Sequence, residues 1–264
     1  MSGATGSIGL AIADGVGRIT IDNPARHNAI SLAMWESLAQ HLVTAAADAS
    51  VRVLVLKGAG GKAFAAGADI SKFESERASK AASDAYNATS ARASELLYNF
   101  PRPTIAHING YCIGGGLAVA LCCDLRFAET SSRFAIPAAR LGLGYGLDGV
   151  RRLVDVVGGA AAMEIFFTAR QFDAAEALRM GLINQAVAPD ALEQVVADCI
   201  DRIRSNAPLT VAAAKAAVRE LAKDPAARNR AAIDAMVAAC FASADFVEGR
   251  TAFMEKRAPQ FRGR

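Results

Sequence analysis

Two glycine-containing segments of the chain combine residue types and spacing that suit the binding of a negatively charged oxygen. One is GGKAFAAGADI at residues 60–70, and the other is NGYCIGGG at residues 109–116, which ends in three consecutive glycines. A glycine costs about 0.5–1 kcal/mol of backbone entropy relative to alanine, so a run of three indicates a backbone that must approach another group closely. At the start of a helix, free N–H groups and the helix dipole also favour an anion.

Both segments follow apolar stretches typical of buried strands, VRVLVLK at residues 51–57 and PTIAHI at residues 103–108, and both open helices. Two such turns can each donate one main-chain N–H to a single carbonyl oxygen. Removing one donor from an oxyanion hole costs about 2.7–4 kcal/mol, so the pair is suited to stabilising an enolate or a tetrahedral intermediate. One loop alone would be explained by a tight turn, but two matching loops favour the catalytic interpretation.

The elements that must position these loops indicate an α/β fold. Apolar alternation predicts a hairpin at residues 7–22, and Ser31 suits the N-cap of a helix that extends to about Ala47. Further strands are predicted at residues 51–57, 103–108, 125–128, 133–136 and 182–187, and a polar, alanine-rich helical region at residues 71–100. We therefore predict an α/β core at residues 1–200 and a helical region at residues 201–264.

Acidic residues in the second half of the chain are predicted to cap helices. Asp148 stands where an N-cap is expected, because a helical pattern begins directly after it. Asp173 with Glu176, and Asp190 with Glu193, have the spacing of a capping box.

Composition limits the possible classes of protein. The chain has 264 residues, of which 53% are hydrophobic and 21% charged, as in ordinary globular proteins, and its net charge of +3 is too small to indicate nucleic-acid binding. The five cysteines include no C-x-x-C pair, so neither a disulfide framework nor a metal site is predicted. The N-terminus lacks the pattern of a signal peptide, and Asn109 with the glycine run interrupts the uncharged residues 103–123. We expect a soluble, cytoplasmic protein with no membrane partner.

Two segments resemble the signatures of the crotonase superfamily, the enoyl-CoA hydratase/isomerase family. They are KAFAAGADI at residues 62–70 and NGYCIGGGLAVALCCDLRFA at residues 109–128, and the agreement extends in order to residues 19–30, 51–64, 174–184 and 248–261. The resemblance implies a spiral of ββα units, a C-terminal helical trimerisation region and an acyl-CoA thioester as substrate. It implies no separate cofactor, because coenzyme A is part of the substrate, and it implies a homotrimer or a dimer of trimers.

Carried over residue by residue, the resemblance assigns the oxyanion donors to the N–H groups of Ala68 and Gly115. It places coenzyme A against Ala25, Arg26, His27, Ala66, Gly67, Asp69 and Ile70. Lys256 matches a position that reaches the CoA phosphates, in some members from a neighbouring subunit. Arg26 is a second candidate for the phosphates, since a guanidinium binds them in bidentate fashion. For each of these two cations the alternative is a solvated surface charge.

The resemblance fails at the two positions where hydratases of this family have their proton-transferring residues. Hydratases of this family move protons with two glutamates, and the corresponding residues are Ala118 and Ala138, which have no titratable group. Tyr145 and Asp148 lie in LGLGYGLDGVRRL at residues 141–153, near where the missing carboxylates would point. Asp148 is therefore a candidate proton carrier as well as a candidate helix cap.

Several functions are compatible with these residues. Hydration or double-bond isomerisation of an enoyl-CoA, with the thioester enolate held in a backbone oxyanion hole, is the first hypothesis. Decarboxylation of an acyl-CoA forms the same enolate without proton abstraction, and a non-catalytic acyl-CoA binder is the other alternative. A G-x-G-x-x-A pattern at residues 58–63 is typical of dinucleotide-binding dehydrogenases, but a second glycine-rich run stands where the helix should begin.

Overall fold

The computed structural model describes residues 6–72, 76 and 78–264. The strands in these residues are β1 (Ser7–Ala13), β2 (Val16–Asp22), β3 (Val53–Gly58), β4 (Ala63–Ala65), β5 (Thr104–Ile108), β6 (Tyr111–Ile113), β7 (Leu125–Glu129), β8 (Arg133–Ala135), β9 (Phe172–Asp173) and β10 (Gln185–Val187). The helices are α1 (Leu32–Ala47), α2 (Lys80–Tyr98), α3 (Gly115–Cys122), α4 (Leu147–Thr168), α5 (Ala174–Arg179), α6 (Leu192–Ser205), α7 (Pro208–Leu221), α8 (Arg230–Ala242) and α9 (Ala244–Glu255). Part of the region predicted to be helical at residues 71–100 lies outside the described residues.

The strands form two sheets. The larger has the order β1-β2-β3-β5-β7-β10 and is parallel apart from the β1–β2 hairpin, and the smaller has the order β4-β6-β8-β9 and is parallel apart from β8–β9. Three consecutive units, β3-β4-α2, β5-β6-α3 and β7-β8-α4, each give one strand to the large sheet, one to the small sheet and then a helix. This repetition is the predicted spiral of ββα units, and it stacks the loops of successive units side by side.

The large sheet is covered on both faces, which explains its apolar central strands. Every residue of β5 is buried, as expected for a parallel strand between two layers. One face meets the main core under α1, α2 and α3, and the other packs against α6 through Val196 and Ile200. His107 lies on that second face, with Nδ1 3.8 Å from Glu193 Oε2 on α6. Burial lowers the pKa of His107, which favours the neutral imidazole.

An ion-pair cluster joins the C-terminal helices to the helix that follows the glycine triplet. The Asp124 carboxylate, just beyond α3, accepts hydrogen bonds from Lys215 and Arg219 of α7, both at 2.8 Å, and from the Thr104 N–H at 2.8 Å. The two cations lie at the negative end of the α3 dipole and are stabilised there. Arg219 also lies over the ring of Tyr98, 3.7 Å from its centroid.

Helix caps give a mixed result for the sequence predictions. Asp173 caps α5, where its side chain accepts from the Glu176 N–H at 2.9 Å, as predicted. The prediction for Asp148 as an N-cap is wrong, because α4 begins at Leu147, two residues earlier than expected, and Gly146 occupies the cap position. The predicted capping box of Asp190 and Glu193 is also wrong. Ala191 occupies the N-cap position of α6, and no side chain at that position accepts a hydrogen bond from the first turn of the helix.

The division of the chain at residues 200 and 201 falls inside α6 and stays a prediction, as does the trimer. The last described strand is β10, and only helices and one 3-10 turn follow it in the described residues. No helix in the described part of the chain combines the length and apolar character needed to cross a membrane.

Candidate active site

The first glycine-containing loop directs the N–H of Ala68 away from its neighbouring segment. Ile30 pairs with Ala68 in a parallel bridge, in which the Ile30 N–H donates to Gly67 O at 2.8 Å and the Asp69 N–H donates to Ile30 O at 3.2 Å. Because these bonds use the residues on either side of Ala68, its own N–H points to the opposite side of the strand. Among the described residues, no hydrogen bond uses the Ala68 N–H.

The second loop leaves the N–H of Gly115 free at the start of α3. Gly114 is the N-cap, with a φ of 54° that side-chain-bearing residues rarely adopt, and its N–H donates to Ala135 O at 2.8 Å. Gly115 is the first residue of the helix, so its N–H has no partner within the helix. No hydrogen bond found in the described ranges involves this N–H.

The two loops are in direct contact. A Cβ atom on Gly115 would lie 3.6 Å from the Ala68 nitrogen, and a Cβ atom on Gly67 would lie 3.3 Å from the Gly115 nitrogen. Gly116 allows this approach, because a Cβ at that position would come within 2.0 Å of Ala65 O. The structure therefore brings two unpaired main-chain donors from different ββα units to one place.

The segment of Ala25, Arg26 and His27 borders the first loop and is exposed. The Ala66 N–H donates to His27 O at 2.9 Å, so the two stretches assigned to coenzyme A are joined directly. His27 also meets the ring of Tyr111 edge-on, with ring centroids 5.7 Å apart. In the adjoining turn Asp69 is buried, and Ile70 is 60% exposed.

Alanines occupy the two positions where carboxylates were expected. Ala118 lies one helical turn after Gly114, and its N–H donates to Gly114 O at 3.0 Å. Ala138 follows Pro137, whose Cδ would lie 3.9 Å from a Cβ on Gly114. Ala138 is buried and Ala118 is partly buried. Neither position therefore supplies a group that could transfer a proton.

Among the described residues, no hydrogen bond, ion pair or ring contact joins the other three predicted residues to either loop. Asp148 is exposed and lines a cavity of about 470 Å³ with Arg151 and Arg152, a cavity whose walls come from α2, α4, α7 and α8. Tyr145 packs edge-on against Phe166 with centroids 5.1 Å apart, and burial raises its pKa, so the phenol stays protonated at neutral pH. Lys256 is exposed at the end of α9, and no hydrogen bond or ion pair of the described residues joins it to either loop.

Comparison with known proteins decides the family. The family model described as enoyl-CoA hydratase/isomerase matches residues 11–264. The chain belongs to the enoyl-CoA hydratase/isomerase family. A crotonyl-CoA hydratase of Syntrophomonas wolfei is 34% identical over 241 residues, covering 91% of this chain and 92% of the relative. A (E)-benzylidenesuccinyl-CoA hydratase of Thauera aromatica is 33% identical, covering 96% and 98%.

Solved structures of the enoyl-CoA hydratase/isomerase family share the whole architecture. The crystal structure of an enoyl-CoA hydratase/carnithine racemase from Magnetospirillum magneticum has 36% sequence identity and a TM-score of 0.93, covering 97% of this chain and 96% of that chain. The fold is therefore the crotonase fold, as the sequence indicated, and the chain is an acyl-CoA enzyme of this family.

One polar residue of this family member was missed in the sequence. Asn28 stands within NPARHNAI, between two segments assigned to the site, and it is fully buried with a left-handed φ of 58°. The available signal was an asparagine inside the family-like segment at residues 19–30, shortly after Pro24, since asparagine tolerates a positive φ better than most residues.

Proposed function

We propose that the enzyme binds an acyl-CoA with its thioester oxygen between the N–H groups of Ala68 and Gly115 and stabilises the enolate that forms there. The observation that supports this is that the two loops are in contact and that, in the described part of the chain, both N–H groups are unpaired there. Preorganised donors of this kind act on charge that develops during the reaction, and they need no reorganisation at that moment. The start of α3 adds the positive end of a helix dipole.

Coenzyme A is proposed to lie along the exposed segment Ala25 to His27 and the turn that ends at Ile70. Support comes from the Ala66–His27 hydrogen bond, which makes the two stretches one continuous surface. Arg26 is exposed there and offers a bidentate donor to a phosphate. Lys256 is proposed to reach the phosphates from a neighbouring subunit, since it is exposed at the end of α9. No cofactor beyond the coenzyme A of the substrate is proposed.

The proposed reaction is hydration or double-bond isomerisation of an enoyl-CoA. Relatives named as hydratases of crotonyl-CoA and of other enoyl-CoA substrates support a lyase. We leave the proton carriers unassigned, because Ala118 and Ala138 replace the family's carboxylates.

A specific observation favours a second candidate, the decarboxylation of a malonyl-type thioester. The positions beside the two donors are alanines, and breaking the bond between Cα and a carboxylate releases CO2 and leaves the enolate without any protein base. Water then supplies the proton to Cα. An oxyanion hole is the main protein contribution that this chemistry requires.

A panel of thioesters tests the proposal. We expect the purified protein to convert one of 2-enoyl-, 3-enoyl-, 3-hydroxyacyl- or malonyl-type CoA thioesters, with products identified by mass spectrometry. A gain of 18 mass units identifies hydration, a loss of 44 identifies decarboxylation, and an unchanged mass with a shifted double bond identifies isomerisation. Binding of every thioester without conversion of any would contradict the enzyme and favour a non-catalytic binder.

Asp148→Asn tests the remaining candidate proton carrier. Because Asp148 lines the cavity near Arg151 and Arg152, we expect turnover close to that of the wild type, whereas loss of a general acid–base would lower it at least about a hundredfold. Steady-state kinetics with the thioester selected by the panel measures the effect. A hundredfold loss at an unchanged melting temperature would assign proton transfer to Asp148.

A homotrimer, alone or paired into a hexamer, is the proposed assembly. Large apolar side chains on the C-terminal helices are strongly exposed in the single chain, among them Leu221, Phe241, Phe253 and Met254. Exposed apolar surface of this kind marks an interaction site. Analytical ultracentrifugation is expected to show three or six chains, and a monomer at micromolar concentration would contradict the assembly.

A further inference from the structure

Asn28 is a buried side chain whose hydrogen-bonding capacity is used across two loops. Its Nδ2 donates to Ala59 O at 2.9 Å and to Ala63 O at 2.7 Å, and its Oδ1 accepts from the Asn23 N–H at 2.9 Å. No part of the residue is exposed, and its φ is 58°. Both amide hydrogens and the carbonyl oxygen thus have partners, as buried polar groups require.

The contacts of Asn28 link the exposed segment that precedes it to β4. Ala59 and Ala63 stand on either side of the glycine turn at residues 60–62, so one carboxamide closes that turn. A Cβ on Gly60 would lie 2.9 Å from Pro24 Cβ, which places the two turns against each other. The position of Asn28 therefore sets the distance between residues 24–27 and the start of β4.

Further hydrogen bonds between the same two segments follow along the chain as far as Ala68. After the Asn28–Ala63 bond come the Ala66 N–H to His27 O bond and the two bonds of Ile30 to Gly67 and Asp69. Residues 27–30 and 63–69 therefore run side by side, with the Asn28 side chain as the first connection. The direction of the Ala68 N–H depends on this register, because the Ile30 bonds on either side of it turn it outwards.

We propose that Asn28 is a positioning residue for the oxyanion hole. The proposal rests on the function proposed above, and it assigns to the Asn28 carboxamide the alignment of β4 and the following turn that aims the Ala68 N–H at the thioester oxygen. Asn28 does not touch the substrate in this role. It acts through the main chain of Ala63 to Ala68.

Asn28→Asp is the variant that separates this role from backbone effects. Aspartate has the same shape and also tolerates a left-handed φ, but a carboxylate oxygen would face the carbonyl oxygens of Ala59 and Ala63 in place of two N–H donors. Asn23→Asp is the matched control. Asn23 is buried in the same turn, and its Nδ2 donates to Ala29 O at 2.9 Å, within that turn and not to β4.

The measurement is isotope-edited infrared spectroscopy of bound butyryl-CoA labelled with carbon-13 at the thioester carbonyl. In the wild type we expect the carbonyl stretch to move to lower frequency on binding, because two N–H groups polarise it. Asn28→Asp is expected to lose most of this shift and to lower kcat by about a hundredfold, the effect of one lost oxyanion donor. Asn23→Asp is expected to keep the shift.

Each outcome has a distinct meaning. A wild-type protein that binds butyryl-CoA without a shift overturns the proposed function and the role of Asn28 together. A wild-type shift that persists in Asn28→Asp overturns the role of Asn28 alone. If Asn28→Asp does not fold, Asn28→Gly, which suits a positive φ and removes the carboxamide, provides the same readout. A protein that is merely less stable but folded at the temperature of measurement would keep both the shift and kcat.

Discussion

Replacing Gly115 by proline is expected to lower kcat/KM by at least about 10²–10³, the cost of one missing oxyanion donor. Proline removes the N–H of this residue and adds the three carbons of its ring. The first position of a helix accepts proline well, and a Cβ at Gly115 would meet its neighbours, Gly67 and Ala68, at 3.5 Å or more, which is ordinary van der Waals contact. The measurement is turnover of the thioester selected by the panel, with thermal unfolding followed by circular dichroism as a check on the fold.

Gly115→Ala is the matched control, because it adds the same Cβ and retains the N–H. We expect it to fall between the wild type and Gly115→Pro in kcat/KM, since its methyl group lies beside the Ala68 nitrogen. Gly116→Ala would not serve as a control, because its Cβ would overlap Ala65 O. Turnover of Gly115→Pro at the wild-type rate would remove Gly115 from the oxyanion hole.

Restoring the two carboxylates should have the opposite effect. The double variant Ala118→Glu/Ala138→Glu is expected to hydrate crotonyl-CoA about 10²–10⁴ times faster than the wild type, the usual contribution of positioned acid–base groups. Both positions lie close to Gly114, the residue before the Gly115 donor: Ala118 lies one helical turn after Gly114, and Ala138 follows Pro137, which lies next to Gly114. Loss of the 2-enoyl absorbance measures the rate.

Ala118→Gln/Ala138→Gln is the control for that gain, since glutamine has nearly the same size and cannot transfer a proton. Glutamate at the buried position 138 should also lower the melting temperature, because desolvation of a carboxyl group is unfavourable. The prediction that two introduced carboxylates accelerate hydration would be wrong if the folded double variant bound crotonyl-CoA and hydrated it no faster than the glutamine variant. It would also be wrong if the wild type already matched the double variant.

Much of the architecture is determined by local sequence. The hairpin around Asp14 and Gly15, the central strand at residues 104–108 and the cap at Asp173 all follow from patterns within a few residues. Their physical causes are equally local: side-chain alternation, turn conformations and hydrogen bonds between near neighbours. Position 148 shows the limit of this reasoning, because α4 begins two residues earlier than the local pattern predicted and its cap is Gly146.

The chemical content of the site was also visible in the sequence. The glycine triplet predicted a close approach of two backbones, and the structure shows this approach where Gly116 packs against Ala65. The absence of carboxylates at Ala118 and Ala138 likewise depends on residue identity alone. These features narrow the chemistry to what an oxyanion hole without the usual acid–base pair can support.

Tertiary structure alone decided where the donors point and what holds them. Ala68 and Gly115 belong to different ββα units, and they meet because successive units stack in the spiral. The Ala68 N–H is left free because Ala68 pairs with Ile30 in a parallel bridge. The register between residues 27–30 and 63–69 is set by the carboxamide of Asn28. No local sequence pattern predicts these contacts. The physical reason is that an N–H takes its direction from the hydrogen bonds of its neighbours, and those neighbours come from distant parts of the chain.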